Sequence, residues 1–199
     1  MVDLNVGGIV KRTRIYGPGW RSAVWLQGCT LACKGCWNTE LWPTKGGTLT
    51  SQEDMLAELL TATDCEGVTF LGGEPLQQAE ALLPLLKDLR AIGKSIFIYS
   101  GYNREELDET QLACVEQADI VVLGRYVEEL RNTNLRWRGS SNQVVEFLTD
   151  RYSEADMNGE ASEYEVHIHA DGSTMVLGYP PSDPESLYSP TPTHSNIGS

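Results

Sequence analysis

An α/β fold built on a mostly parallel sheet is predicted by two observations on the 199-residue chain. Short apolar runs rich in β-branched and aromatic residues alternate with segments of helical periodicity, the pattern of strand–helix–strand units. The predicted strands also end on glycine-containing or cysteine-containing turns, at Gly28-Cys29, Gly72-Gly73-Glu74-Pro75, Ser100-Gly101 and Gly124-Arg125. In a parallel sheet those ends share one edge, which is where α/β sheets bind ligands.

The elements follow in order. Ser22 to Gln27 reads as a short buried strand running into a cysteine-rich loop. Thr48 to Thr61 reads as a helix, with Thr50 and Glu53 as a capping box and Met55, Leu56, Leu59 and Leu60 as its apolar stripe. Gly67 to Leu71 is the next strand, followed by a helix from about Ala79 to Ile92 that Gly93 stops. Ser95 to Tyr99 is a strand, Glu105 to Gln117 a helix, Asp119 to Leu123 a strand, and Gln143 to Leu148 a further one. Glu165 to Ala170 and Thr174 to Leu177, joined by Asp171-Gly172-Ser173, form a hairpin. From Tyr179 the chain turns Pro- and Ser-rich, a composition that favours disorder. The organisation expected is a core over 1–150, an appended hairpin in 151–178 and a tail over 179–199.

One core is the default for this length. The N-terminus lacks the basic start and apolar run of a secretory signal, and no apolar stretch is long enough to span a bilayer. A cytoplasmic protein with reduced thiols and no membrane association is expected. The net charge of −13 argues against general nucleic-acid binding. Basic residues gather at Lys11, Arg12, Arg14 and Arg21 and again at Arg131, Arg136 and Arg138, either as sites for anionic groups or as solvated faces.

Three of the five cysteines, Cys29, Cys33 and Cys36, are spaced C-x3-C-x2-C. An odd total with three bunched together reads as metal ligation, not a disulfide framework. A closed zinc site takes four protein ligands. Three thiolates on a four-iron, four-sulfur cube leave one iron open to chemistry. Cys65 and Cys114 read as buried, inert thiols.

The cysteine loop followed by Trp37 and Asn38, with Gly72-Gly73-Glu74-Pro75 on a later strand, resembles the radical S-adenosylmethionine (SAM) superfamily. Within it, Gly17-Pro18-Gly19-x-Arg21, Gly72 to Leu76, Ser100-Gly101-Tyr102 with Glu106-Leu107, and Trp137 to Val145 are similar to the activating proteins of anaerobic (class III) ribonucleotide reductase. The likeness covers about residues 15 to 148.

That resemblance implies a partial (β/α)6-type parallel barrel, to which the hairpin is an extension. It implies a [4Fe-4S] cluster on Cys29, Cys33 and Cys36, with SAM chelating the open iron. Reductive cleavage of SAM would then give a 5′-deoxyadenosyl radical that takes hydrogen from a glycine of a glycyl-radical enzyme. The electron donor implied is a flavodoxin or ferredoxin. Cofactor contacts fall on Trp37, Asn38, Gly72, Gly73, Glu74, Ser100, Gly101 and Arg125, with Glu74 meeting the SAM ammonium. No Ser/His/Asp constellation is expected, because such a radical needs positioning and exclusion of water, not acid–base help. Leu123-Gly124-Arg125 departs from the Asp-x-Lys common in activating enzymes. Arg136 and Arg138 are candidates for a carboxylate, and His167-x-His169 forms a weak metal pair. A radical SAM enzyme acting on a peptide or small metabolite, and a non-catalytic iron–sulfur or zinc module, are the alternatives.

Overall fold

The structure is a computed structural model that describes residues 2–158, 164–168 and 170–178. The tail expected from Tyr179 onward, and His169 of the histidine pair, lie outside the described residues.

The sheet begins with β1 (Leu4–Thr13) and β2 (Arg21–Leu26), paired antiparallel, with the short β3 (Thr48–Thr50) on the outer edge of β1. Then come α1 (Gln52–Leu60), β4 (Gly67–Gly72), α2 (Ala79–Ala91), β5 (Ser95–Ser100), α3 (Glu109–Val115), β6 (Ile120–Leu123) and β7 (Val144–Phe147). The spatial order is β3-β1-β2-β4-β5-β6-β7. The run β2-β4-β5-β6 is parallel, and β7 closes the far edge antiparallel to β6. The α/β expectation holds, with a parallel centre framed by antiparallel strands.

β1 is absent from the sequence reading, and its Gly7-Gly8 pair explains why. The pairing with β2 slips between Val6 and Gly8, so one extra residue enters β1 there. A one-residue insertion moves the following side chains to the opposite face. Leu4 and Val6 accordingly join the helix-side core, whereas Val10 packs on the other side. No single alternation therefore runs through the strand.

The helix expected over Thr48 to Thr61 is shorter. Thr48–Thr50 is spent on β3, and the cap is Ser51, whose Oγ accepts from the Asp54 N–H at 3.1 Å. Residues 104–106 likewise form a separate 3-10 turn, and α3 starts after a capping box made by Asp108 and Gln111. The stop at Gly93 is as expected. Its φ is +80°, its N–H donates to Arg90 C=O at 2.9 Å, and the Lys94 N–H reaches back to Leu89 C=O at 2.9 Å.

All three described α-helices cover a single face of the sheet. Met55 and Leu59 of α1, Leu82, Leu85, Leu86 and Leu89 of α2, and Cys114 and Val115 of α3 share one core with Val24, Leu26, Val68, Phe70, Ile96, Ile98 and Val121. The residues between these on the strands point the other way. Ala23, Trp25, Leu71, Phe97, Tyr99, Ile120 and Val122 make an inner face with no α-helix on it among the described residues. Trp137, Tyr152 and Met157 pack over the β5–β6 part of that face.

The hairpin forms as β8 (Tyr164–Ile168) and β9 (Thr174–Gly178), paired antiparallel. It lies against the inner face beside β1 and β2, where Leu177 is buried among Val10, Ala23 and Leu71. Among the described residues no helix is long and apolar enough to cross a membrane.

Candidate functional site

The C-terminal ends of β2, β4, β5 and β6 open onto a cavity of about 230 Å³ on the inner face. Cys29, Cys33, Cys36, Trp37, Asn38, Gly72, Gly73, Glu74, Ser100 and Gly101 all line it. Of the residues assigned from the resemblance, only Arg125 is outside the lining, although Gly124 and Tyr126 on either side are in it.

The cysteine loop is held closed at its base. The Gly28 N–H donates to Leu41 C=O at 2.7 Å and the Cys29 N–H to Trp42 C=O at 2.9 Å, while the Gln27 amide donates to Pro43 C=O at 2.8 Å. Gln77, from the turn after β4, accepts from the Thr30 N–H at 3.1 Å and donates to the Thr30 hydroxyl at 2.7 Å. The loop is tied on its outer side by Lys34, which pairs with Glu128 at 2.9 Å and Glu129 at 3.4 Å. Inside it Ala32 has a φ of +46°, a conformation that L-residues adopt only when the surroundings impose it.

The three thiols lie on one loop and line the cavity together. Among the described residues, no three His, Cys, Asp or Glu side chains are gathered as ligands of one metal ion. Burial pushes the Cys29 thiol up, opposed by N–H groups of Leu31 and Ala32. Burial also raises Cys33, joined by repulsion from Cys36 and Cys29 and opposed by the Tyr126 N–H and the Arg125 charge. Three mutually repelling thiolates favour a positively charged group among them, and the backbone N–H groups are placed to hold sulfur in its ionised form. Cys65 and Cys114 are buried elsewhere, with their Sγ atoms at 3.3 Å from Lys11 C=O and 3.5 Å from Ala79 C=O. Burial pushes the Cys114 thiol up to about 12.

Glu74 lines the same cavity as the cysteines and is only 1% exposed. Its Oε1 accepts from the Leu76 N–H at 3.0 Å and the Ser100 hydroxyl at 2.9 Å, and its Oε2 accepts from the Gly101 N–H at 2.7 Å. One carboxylate thus joins the end of β4 to the end of β5. An ionised carboxylate has about four acceptor positions, so one stays available beside Gly101. Burial pushes the Glu74 carboxyl up to about 7, against the pull of its three hydrogen-bond donors and the Arg125 charge.

A pH dependence follows. Between roughly pH 4.5 and 7 the native protein keeps a proton on Glu74 that the unfolded chain has released, so stability falls as pH rises through that window. The shift corresponds to about 3 kcal/mol. Urea unfolding at pH 5 and pH 7.5, compared between wild type and Glu74→Gln, is expected to show this decline only in the wild type. An equal decline in both would assign it to other groups.

Gly72 and Gly73 are required by the packing of the chain itself. A Cβ on Gly72 would stand 2.5 Å from the Leu26 nitrogen, and one on Gly73 would stand 2.3 Å from the Gly28 oxygen. The close approach is to the neighbouring strand end of the same chain, where Gly73 N–H donates to Leu26 C=O at 2.8 Å and Glu74 N–H to Gly28 C=O at 2.9 Å. The two glycines bring the Glu74 strand end against the cysteine loop.

Arg125 is turned to Glu106, with Nη1 at 2.6 Å from Oε2. Leu123, in the place of the family aspartate, is 3% exposed and packs in the helix-side core. The expected basic clusters dissolve into separate roles. Lys11 pairs with Glu58, Arg12 with Asp64, and Arg21 is fully buried. Arg131 lies over the Trp37 ring at 5.3 Å, Arg136 donates to Asn158 C=O at 3.3 Å, and Arg138 donates to Gln143 C=O at 3.4 Å. His167 meets Glu165 at 3.0 Å.

The residue-level reading missed the aromatic walls. Tyr16, Trp25, Tyr99, Tyr126 and Trp137 line the cavity. Tyr16 meets Trp25 edge-on at 5.2 Å, and Phe97 lies between Tyr99 at 4.7 Å and Trp137 at 5.5 Å. The Trp137 to Val145 stretch now has a physical role. Gln143 accepts from the N–H groups of Gly139 and Ser140 at 2.8 and 3.2 Å and donates to Gly124 C=O at 3.0 Å. This brace holds Trp137 at a φ of +58° with its ring in the cavity wall.

Comparison with known proteins bears on what this site holds. Residues 15–146 match the family model described as a 4Fe-4S single cluster domain. The chain is 35% identical over 142 residues to the anaerobic ribonucleoside-triphosphate reductase-activating protein of Escherichia coli (strain K12), a stretch that covers 67% of this chain and 92% of that one. It is 32% identical over 153 residues to the protein of the same name from Enterobacteria phage T4, covering 74% and 96% respectively. The crystal structure of QueE from Escherichia coli superposes with a TM-score of 0.44 at 20% identity, covering 59% of this chain and 69% of that one.

Proposed function

The chain belongs to the 4Fe-4S single cluster domain family and, within it, to the anaerobic ribonucleoside-triphosphate reductase-activating proteins, and on that premise we propose that it is a radical SAM activase. Its target would be a glycyl radical site in a partner enzyme, an anaerobic ribonucleotide reductase. The observation that carries this is one cavity lined by Cys29, Cys33 and Cys36 together with the Glu74–Ser100–Gly101 strand ends. When bound, the cluster and SAM would supply a single electron and a 5′-deoxyadenosyl group, which leaves as a radical able to take hydrogen.

The residues divide that work. Cys29, Cys33 and Cys36 would hold three irons, with the N–H groups of Leu31, Ala32 and Tyr126 supporting the sulfurs. Glu74 would hold the ammonium of SAM through its remaining acceptor position, a contact that also favours loss of its proton. Trp37 and Asn38 flank the cluster side. Gly101 donates its N–H to Glu74 and so fixes the carboxylate's orientation. The walls of Tyr16, Trp25, Leu71, Tyr99 and Trp137 would exclude water from a reactive carbon centre. A glycine Cα presents no side chain to those walls and can approach closely. Arg125, paired with Glu106 and felt at both Cys33 and Glu74, would tune charge from outside the cavity. A flavodoxin or ferredoxin would deliver the electron.

The test is direct. Protein reconstituted anaerobically with iron and sulfide, then mixed with reductant, SAM and a class III reductase, is expected to show a glycyl-radical doublet by EPR. A silent sample whose cluster is intact would overturn the assignment.

A further inference from the structure

The hairpin β8–β9 lies outside residues 15–146, the span of the family match, and yet it contributes to the cavity. Gly178, the last residue of β9, is part of the lining, and its N–H donates to the Tyr16 hydroxyl at 3.1 Å. One residue earlier, Leu177 is 4% exposed and packs with Val10, Ala23 and Leu71, against which Ile15, Tyr16, Trp25 and Tyr99 also lie. The other strand is fastened as well, since Glu165 accepts from the Arg14 N–H at 2.9 Å. Because every described α-helix covers the opposite face, the hairpin is what shields the β1–β2 part of the inner face. The exposed members of the lining, Gly35, Trp37 and Arg131, are on the cysteine loop and the segment after β6.

We propose that β8–β9 is a specificity-determining wall of the cavity, which closes its β1–β2 side and confines substrate entry to the side rimmed by Gly35, Trp37 and Arg131. The inference rests on the cavity being the reaction chamber. One open side fits a single stretch of partner main chain better than a substrate approaching over a broad mouth. Leu177 acts as a positioning residue: it seats the wall and takes no part in holding the cofactors. The outward side of the hairpin, where Val166 is 48% and Ile168 is 76% exposed, has no role in the wall and supplies the control.

The experiment compares full-length Leu177→Asp, with the milder Leu177→Ala alongside in case the charge disrupts folding, against Ile168→Asp. The first readout needs no cofactor. Acrylamide quenching of Trp25, taken by difference from the same proteins carrying Trp25→Phe, is expected to rise about threefold when Leu177 is replaced and to stay unchanged for Ile168→Asp. The second uses reconstituted protein. With Leu177 replaced, iron content and SAM affinity stay within about twofold of wild type, while glycyl radical formed per 5′-deoxyadenosine released drops about tenfold. Unchanged quenching and coupling in both Leu177 variants would overturn the proposal. So would Ile168→Asp reproducing the loss, which would make the hairpin a docking surface. If wild type itself releases no 5′-deoxyadenosine, the activase assignment fails, and the quenching result still decides whether the wall exists.

Discussion

Alanine at Cys29, Cys33 or Cys36 is expected to remove the iron and reduce SAM cleavage to background, whereas alanine at Cys65 or Cys114 leaves both close to wild type. Outer-shell partners of metal ligands typically cost about 10–100-fold when mutated, and a lost ligand costs more. The geometry separates the two groups of thiols cleanly. The first three line the cavity, on a loop whose base is fastened by main-chain bonds from Gly28 and Cys29. Cys65 and Cys114 are 4% and 0% exposed, away from that lining, with their Sγ atoms against backbone carbonyls. Iron and sulfide assays on anaerobically reconstituted variants check this without any activity measurement. Full iron retention in one of the first three, or iron loss in one of the last two, would mean that the ligand set is wrong.

Replacing Arg21 by methionine is expected to destabilise the fold by about 3 kcal/mol, because it strips donors from several buried acceptors at once. Arg21 opens β2 at the end of the sheet remote from the cavity and is 0% exposed. Its Nε donates to the Thr69 hydroxyl at 2.8 Å, Nη1 to the Ser95 hydroxyl at 2.8 Å and Pro18 C=O at 3.2 Å, and Nη2 to Val68 C=O at 3.1 Å. Burial lowers its pKa, opposed by Tyr152 and then by the charges of Glu66 and Asp119. Tyr152 donates to Glu66 at 2.6 Å and meets Ser95 Oγ at 2.9 Å, so it links the guanidinium to a carboxylate that does not touch it. Chemical denaturation measures the loss. Arg21→Lys is expected to recover only part of it, since an ammonium cannot reproduce the planar fork of donors. A methionine variant within 1 kcal/mol of wild type would mean that desolvation of the charge offsets its hydrogen bonds.

The parallel centre of the sheet was legible because β4, β5 and β6 are apolar on both faces and stop at glycine or serine, a pattern that survives without context. β1 was not, because its bulge at Gly7-Gly8 breaks the alternation on which strand recognition depends. The cap at Ser51 was misplaced by one residue, since Thr50 offers the same chemistry and only the pairing of β3 with β1 removes it from the helix. At the site, spacing and motif singled out the cysteines and Glu74, and the structure brings all four to one cavity. The tight fit of Gly72 and Gly73 against the neighbouring strand end was not read, because a sequence does not show that two strand ends converge. Arg125 illustrates the same limit. Its charge is visible in the sequence, but the direction in which it points is set by Glu106, nineteen positions earlier. The aromatic walls come from alternate positions on strands that look like ordinary core, and only the one-sided placement of the helices turns them into a cavity lining.

The clasp at the base of the cysteine loop has a consequence for the protein's life under oxygen. Iron–sulfur clusters are perishable, and a scaffold that collapsed with its cluster would be lost with it. Here the loop leaves and rejoins the body through bonds from Gly28 and Cys29 to Leu41 and Trp42, and the core beneath it draws on none of the three thiols. The perishable part is thus a closed excursion on a durable frame. Loss of the cluster is therefore expected to leave the frame folded.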